Sequence, residues 1–104
     1  MERHAWKAIV RDGMIEEYTR RHDEIWPEMK AMFEEAGMHN YSIWNVGNEL
    51  FGYYECDEGE RAPQSQAAAE VSARWNEYMK DCMYVELDSY TGRPLPVTQV
   101  FLYE

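Results

Sequence analysis

Between Met14 and Ala36 the residues Ile15, Tyr18, His22, Ile25, Met29, Met32, Phe33 and Ala36 recur mostly at intervals of three and four. That period marks one face of a helix, with Glu16, Arg20, Arg21, Glu24, Glu28 and Glu35 mostly turned outward. Pro27 falls inside the stripe. Proline has no amide donor and its ring clashes with the preceding turn, so the helix must kink or restart near Ile25 and Trp26. Asp12-Gly13 opens this helical stretch, and Gly37 ends it as a left-handed cap would. Tyr18, His22 and Trp26 stand four apart. An unbroken helix would line up a phenol, an imidazole and an indole along one side.

The remaining segments read as strands around a second helix. His4–Val10 alternates loosely and suits a first strand. Asn40–Asn45 alternates, Val46-Gly47-Asn48 is a turn signal, and Leu50–Cys56 returns, so a hairpin is expected. The span from Asp57 to Pro63 is polar and loop-like. Gln64–Met83 reads as the second helix, with Ala68, Val71, Trp75, Tyr78 or Met79, and Cys82 as its buried stripe. The span from Tyr84 to Pro96, with Gly92, Pro94 and Pro96, reads as irregular, and Val97–Tyr103 as a closing apolar strand. The order β-α-β-β-α-β is that of the split-βαβ, ferredoxin-like α+β sandwich, with both helices on one face of an antiparallel sheet. Aromatic residues on the strands argue that a second copy buries the other face. The expected assembly is a symmetric dimer with its sheets face to face.

Charge and cysteine usage narrow the function classes. The 104 residues suit one domain, 1–104, with one modest core. Twenty acidic against ten basic residues give a net charge of -10, which repels phosphate backbones and anionic headgroups. Nucleic-acid and membrane partners are therefore disfavoured, while a neutral substrate is unaffected. No run approaches the ~20 apolar residues of a membrane span, and the N-terminus carries no signal-peptide core, which points to the cytoplasm. Cys56 and Cys82 lie 26 apart with no CxxC spacing, so they are expected to be buried free thiols.

His22 is the foremost candidate for chemistry, because imidazole titrates near neutrality and can give or take a proton at working pH. Tyr18 can hydrogen-bond a hydroxyl or simply pack. Tyr41 begins the second strand. Trp75 can stack on the apolar face of a pyranose, although an indole on a helix stripe more often belongs to the core. His39 is expected to be exposed at the start of a strand, and His4 lies near the terminus. The three histidines show no metal-ligand spacing, and neither phosphate loop nor nucleophile elbow occurs.

The runs Glu17-Tyr18-Thr19-Arg20-Arg21-His22-Asp23-Glu24-Ile25-Trp26-Pro27-Glu28, Gly37-Met38-His39-Asn40-Tyr41-Ser42-Ile43 and Arg74-Trp75-Asn76-Glu77-Tyr78-Met79 resemble the L-rhamnose mutarotase family, with similarity running to the last segment, Gln99–Tyr103. The resemblance implies a cytoplasmic homodimer of the dimeric α+β barrel type, without metal or organic cofactor. It also implies interconversion of the α and β anomers of L-rhamnose ahead of rhamnose catabolism. The family's proton-donating histidine falls on His22 and its substrate-contacting tyrosines on Tyr18 and Tyr41. Of a sugar-touching Trp-Trp pair, the first falls on Trp75; the second is replaced by Asn76, an amide where the family has a stacking surface. Two other readings of the same residues stand beside this one. One is another cofactor-free enzyme of the same dimeric fold, of the monooxygenase or lactone isomerase type. The other is a non-catalytic ligand-binding dimer.

Overall fold

Pro27 divides the helical stripe into two helices. The computed structural model describes residues 1–57 and 66–104. Their elements are β1 (Glu2–Val10), α1 (Ile15–Asp23), α2 (Pro27–Glu35), β2 (Met38–Val46), β3 (Glu49–Cys56), α3 (Gln66–Met79) and β4 (Met83–Tyr84). Trp26 is extended at φ -64 and ψ 140, as the residue before a proline prefers, and Pro27 then opens α2 at a position that needs no amide donor. Gly37, at φ 69, ends α2 as the expected left-handed cap. Apart from Asp57, the loop expected up to Pro63 lies outside the described residues, as does the expected start of the second helix at Gln64.

The sheet order is β2-β3-β1-β4, with every neighbouring pair antiparallel. This is the ferredoxin-like, split-βαβ α+β arrangement that the element order implied. The core lies between the sheet and the helices, built on Ala8, Val10, Leu50, Tyr18, Met29, Val71, Trp75 and Met79. Neither cysteine is in a disulfide, and both are buried.

Two differences from the expected elements change the sheet. The second helix stops at Met79 rather than Met83. The chain turns there because Met83 and Tyr84 pair with Val10 and Ile9, and Arg11 donates to the Cys82 carbonyl at 2.7 Å. The sheet's fourth strand is consequently Met83–Tyr84 and not Val97–Tyr103. Strand structure needs a ladder partner, and among the described residues the last segment has none. Val100, Phe101 and Tyr103 are exposed, at 93%, 77% and 88%.

One irregularity in β2 decides what faces the helices. Met38 pairs with Cys56 and His39 with Glu55, but Ser42 pairs with Tyr53, so Asn40 and Tyr41 together oppose Tyr54. This is a β-bulge. Strict alternation from Met38 would send Tyr41 to the outer face. The extra residue shifts the phase, so that Tyr41 and Ile43 share the inner face with Gly52 and Leu50. Asn40 takes the strain at φ 50, a conformation that asparagine tolerates better than most residues, and its side chain donates to Glu55 Oε1 at 2.8 Å.

Asn40→Val is therefore expected to destabilise the fold by about 1–2 kcal/mol, the cost of a left-handed residue with a branched Cβ. Asn40→Gly should lose less. Urea unfolding of both variants checks this, and equal losses would show that backbone strain is not the cause.

Candidate active site

A cleft of about 730 Å³ opens between the inner face of the sheet and the helices, within the ~300–1,000 Å³ usual for small-molecule sites. Tyr18, His22, Tyr41, Trp75 and Asn76 all line it. The five residues singled out from sequence thus come from α1, β2 and α3 to one cavity.

His22 stands in the last turn of α1, half-buried. Its ring lies 4.3 Å from that of Tyr18, tilted by 33°, and meets Trp75 edge-on at 5.3 Å. Nδ1 sits 2.9 Å from the Tyr18 carbonyl oxygen. A carbonyl only accepts, so Nδ1 carries the hydrogen. In the neutral ring Nε2 then has a free lone pair. Burial pushes the imidazole's pKa down, against smaller upward contributions from the Tyr18 carbonyl and the Asp23 carboxylate. His22 is therefore neutral near pH 7.

The two phenols are held as phenols. Burial drives Tyr18 far above its ordinary value and pushes Tyr41 up to about 12. Tyr41 accepts a hydrogen bond from the Trp6 indole N–H at 2.9 Å, and its ring lies 5.3 Å from that of Tyr54. Trp75 is 8% exposed and serves mostly as core. The part of it that reaches the cleft is a wall beside His22 rather than an open stacking plate.

Trp26 does not join Tyr18 and His22. Because α1 ends at Asp23, the indole three residues later leaves the helical register. It packs edge-on against Trp75 at 5.1 Å and stacks on Tyr78 at 5.4 Å. Sequence reasoning missed Trp6 and Tyr54, both on the cleft wall. Their only signal is an inward phase on β1 and β3, which requires the strand register to be known. His4 stacks on Tyr54 at 5.1 Å, and His39 stands exposed at the start of β2 beside Asp57. Among the described residues no group of three or more His, Cys, Asp or Glu could hold a metal ion, and no helix is long and apolar enough to cross a membrane.

Arg21, beside His22 in sequence, fastens α1 to the end of α3. It donates from Nη1 to the Tyr78 carbonyl at 2.6 Å and to Asp81 Oδ1 at 2.9 Å, and from Nε to Glu17 Oε2 at 2.7 Å. Its guanidinium lies 4.4 Å from the centre of the Tyr78 ring. Hydrogen bonds from Arg20 and Arg21 hold the Glu17 carboxyl at about 2. The clamp fixes the two helices that carry His22 and Trp75.

The L-rhamnose mutarotase family profile matches residues 3–103. The chain belongs to the L-rhamnose mutarotase family. That makes it a member of a family of isomerases. It is 33% identical to the L-rhamnose mutarotase of Phocaeicola vulgatus and 34% identical to that of Bacteroides thetaiotaomicron, each match covering 97% of both chains. The crystal structure of the L-rhamnose mutarotase from Formosa agariphila superposes with a TM-score of 0.78 at 30% identity, covering all of both chains.

Arg21→Met should lower the melting temperature and weaken the near-ultraviolet circular dichroism of the Trp75, Trp26 and Tyr78 cluster. An unchanged melting curve and spectrum would show that the clamp does not hold these rings.

Proposed function

We propose that this chain is an aldose mutarotase that interconverts the α and β anomers of L-rhamnose, or a closely related sugar, by acid–base ring opening. In this reading it acts in the cytoplasm and serves rhamnose catabolism. The observation that carries the chemistry is the His22 imidazole, tied through Nδ1–H to the Tyr18 carbonyl beside a cleft walled by two phenols. Family membership supplies the reaction class.

Mutarotation breaks the bond between the anomeric carbon and the ring oxygen. The anomeric hydroxyl gives up its proton and becomes the carbonyl of the open aldehyde. The bonding pair goes to the ring oxygen, which takes a proton. The aldehyde turns, and closure on its other face reverses each step. Sequence comparison made His22 the proton donor at the ring oxygen. A neutral imidazole with Nε2 bare begins one step earlier, by accepting the anomeric proton. The imidazolium so formed then supplies the proton that the ring oxygen needs. Tyr18 and Tyr41 orient hydroxyl groups, Trp75 walls the site, and Asn76 offers an amide donor and acceptor at the cleft lining. Positioned proton transfer of this kind is worth roughly 10²–10⁴-fold.

His22→Ala should accordingly slow anomer exchange by about 10²–10⁴-fold with the fold intact. Saturation-transfer NMR on L-rhamnose, L-fucose and L-lyxose reads this directly. A monooxygenase, a lactone isomerase or a binding module would leave the wild-type anomeric signals unexchanged. The pH dependence has a definite sign. Burial lowers the His22 pKa from its ordinary value, so a base-first cycle holds its rate at and above neutrality and loses it as pH falls through that lowered value. A rate that rose on acidification through the same range would instead make imidazolium the starting form.

We further read the working unit as a homodimer. The outer face of the sheet exposes Trp44, Val46 and Phe51, and the apolar segment from Val97 to Tyr103 stands largely exposed. β4 pairs with β1 only at Ile9 and Val10, so most of that edge of β1 is left without a ladder from β4. Sedimentation analysis should give a dimer for the full chain and a monomer for a chain ending at Pro96. A monomer in both cases would remove this reading.

A further inference from the structure

We propose that Trp6, seated on Gly52, is a positioning residue that fixes the Tyr41 hydroxyl as a hydrogen-bond donor toward the ring oxygen of the bound sugar. This rests on the mutarotase reading of the cleft and assigns a job within it. Trp6 on β1 and Gly52 on β3 are directly paired across the sheet, and Gly52 is in turn paired with Ile43 on β2. The glycine is there for space. A Cβ at Gly52 would fall inside the indole, against Cε2, Nε1 and Cζ2. With only hydrogen on that face, the Trp6 ring lies flat across β3, and its Nε1–H reaches Tyr41 on the next strand at 2.9 Å.

That contact sets a polarity. A phenolic O–H prefers the ring plane, which gives its hydrogen two positions. The indole N–H is only a donor and occupies the accepting side of the Tyr41 oxygen, so the phenol hydrogen takes the other. Tyr41 is thereby committed to donate. The ring oxygen is the one oxygen of a pyranose that carries no hydrogen and can only accept. Neutral His22, which lines the same cleft, presents a lone pair that can only accept, which matches the anomeric O–H. Donor and acceptor in the cleft are thus assigned to the two oxygens that exchange a proton. Because burial keeps Tyr41 a phenol, this polarity holds across the working pH range.

The test is a double-mutant cycle on anomer exchange with Trp6→Phe and Tyr41→Phe. Trp6→Phe keeps an aromatic ring over Gly52 but lacks the N–H. It should lower kcat by about 3- to 10-fold, the scale of one neutral hydrogen bond, with KM little changed. In the Tyr41→Phe background the same substitution should have no further effect. Equal losses in both backgrounds would mean that Trp6 acts only as packing and would overturn the assignment. Should Trp6→Phe fold poorly, the indole N–H resonance of Trp6 in wild type and Tyr41→Phe decides the matter. An upfield shift on loss of the hydroxyl supports the bond, and an unmoved resonance overturns it. Absence of exchange in the wild-type protein with every sugar tested would overturn the mutarotase reading and, with it, the sugar-directed role of Tyr41.

Discussion

The contact between His22 Nδ1 and the Tyr18 carbonyl is the constraint on which the chemistry proposed for the cleft depends. Taking an imidazole out of water favours its neutral form, and neutrality alone would leave two tautomers available. The carbonyl removes that freedom. It lies one helical turn back on the same element, so the tautomer is set by α1 itself and needs no acidic partner. A carboxylate in that position would have raised the pKa and left a resting imidazolium. A carbonyl orients the ring without charging it. The proposed ring opening demands both a proton acceptor and a proton donor, and a neutral imidazole that alternates between them would supply both.

That setting holds only if α1 stays in place, and here packing and charge act together. The face of α1 that meets the core contributes Ile15 and Tyr18. Its adjoining flank contributes Arg21, whose fork ends on the Tyr78 carbonyl near the end of α3 and on Asp81. Helix C-termini attract cations, and a guanidinium there satisfies a carbonyl that the shortened helix leaves without an intrahelical donor. The early end of α3 and the half-buried arginine of α1 are thus two parts of one arrangement. It places Trp75 edge-on beside His22 and excludes water from one side of the imidazole.

Local features of the sequence were legible where local rules govern them. Pro27 announced the break between α1 and α2, Gly37 announced the cap, and the alternation of strands with helices announced the ferredoxin-like arrangement. The cleft residues Tyr18, His22 and Trp75 lie on helices, where spacing alone says which share a face. The failures have a common origin in long-range pairing. Val97–Tyr103 has a strand's composition, but composition does not say whether an edge is available, and Met83–Tyr84 takes the place on β1. Trp26 kept its helical spacing on paper and lost it to the proline that follows. Tyr41 reaches the cleft only through the bulge at Asn40, and Trp6 matters only because Gly52 is its cross-strand partner. Each of these is a property of two segments at once.

Asn76, too, depends on what its neighbours do. In the family resemblance this position carries a second indole beside Trp75, which would give a sugar two flat surfaces. Here Trp75 is held by His22, Trp26 and Tyr78, so little of its face remains for a ligand, and the neighbouring residue offers an amide instead. Affinity in such a site shifts from stacking toward directed hydrogen bonds. Stacking accepts many sugars, since every pyranose has an apolar C–H surface. An amide favours a hydroxyl placed to meet its donor or acceptor, and so distinguishes sugars by where their hydroxyls stand. In the proposed reaction this substitution bears on which sugar is held, and it leaves the His22 imidazole in place.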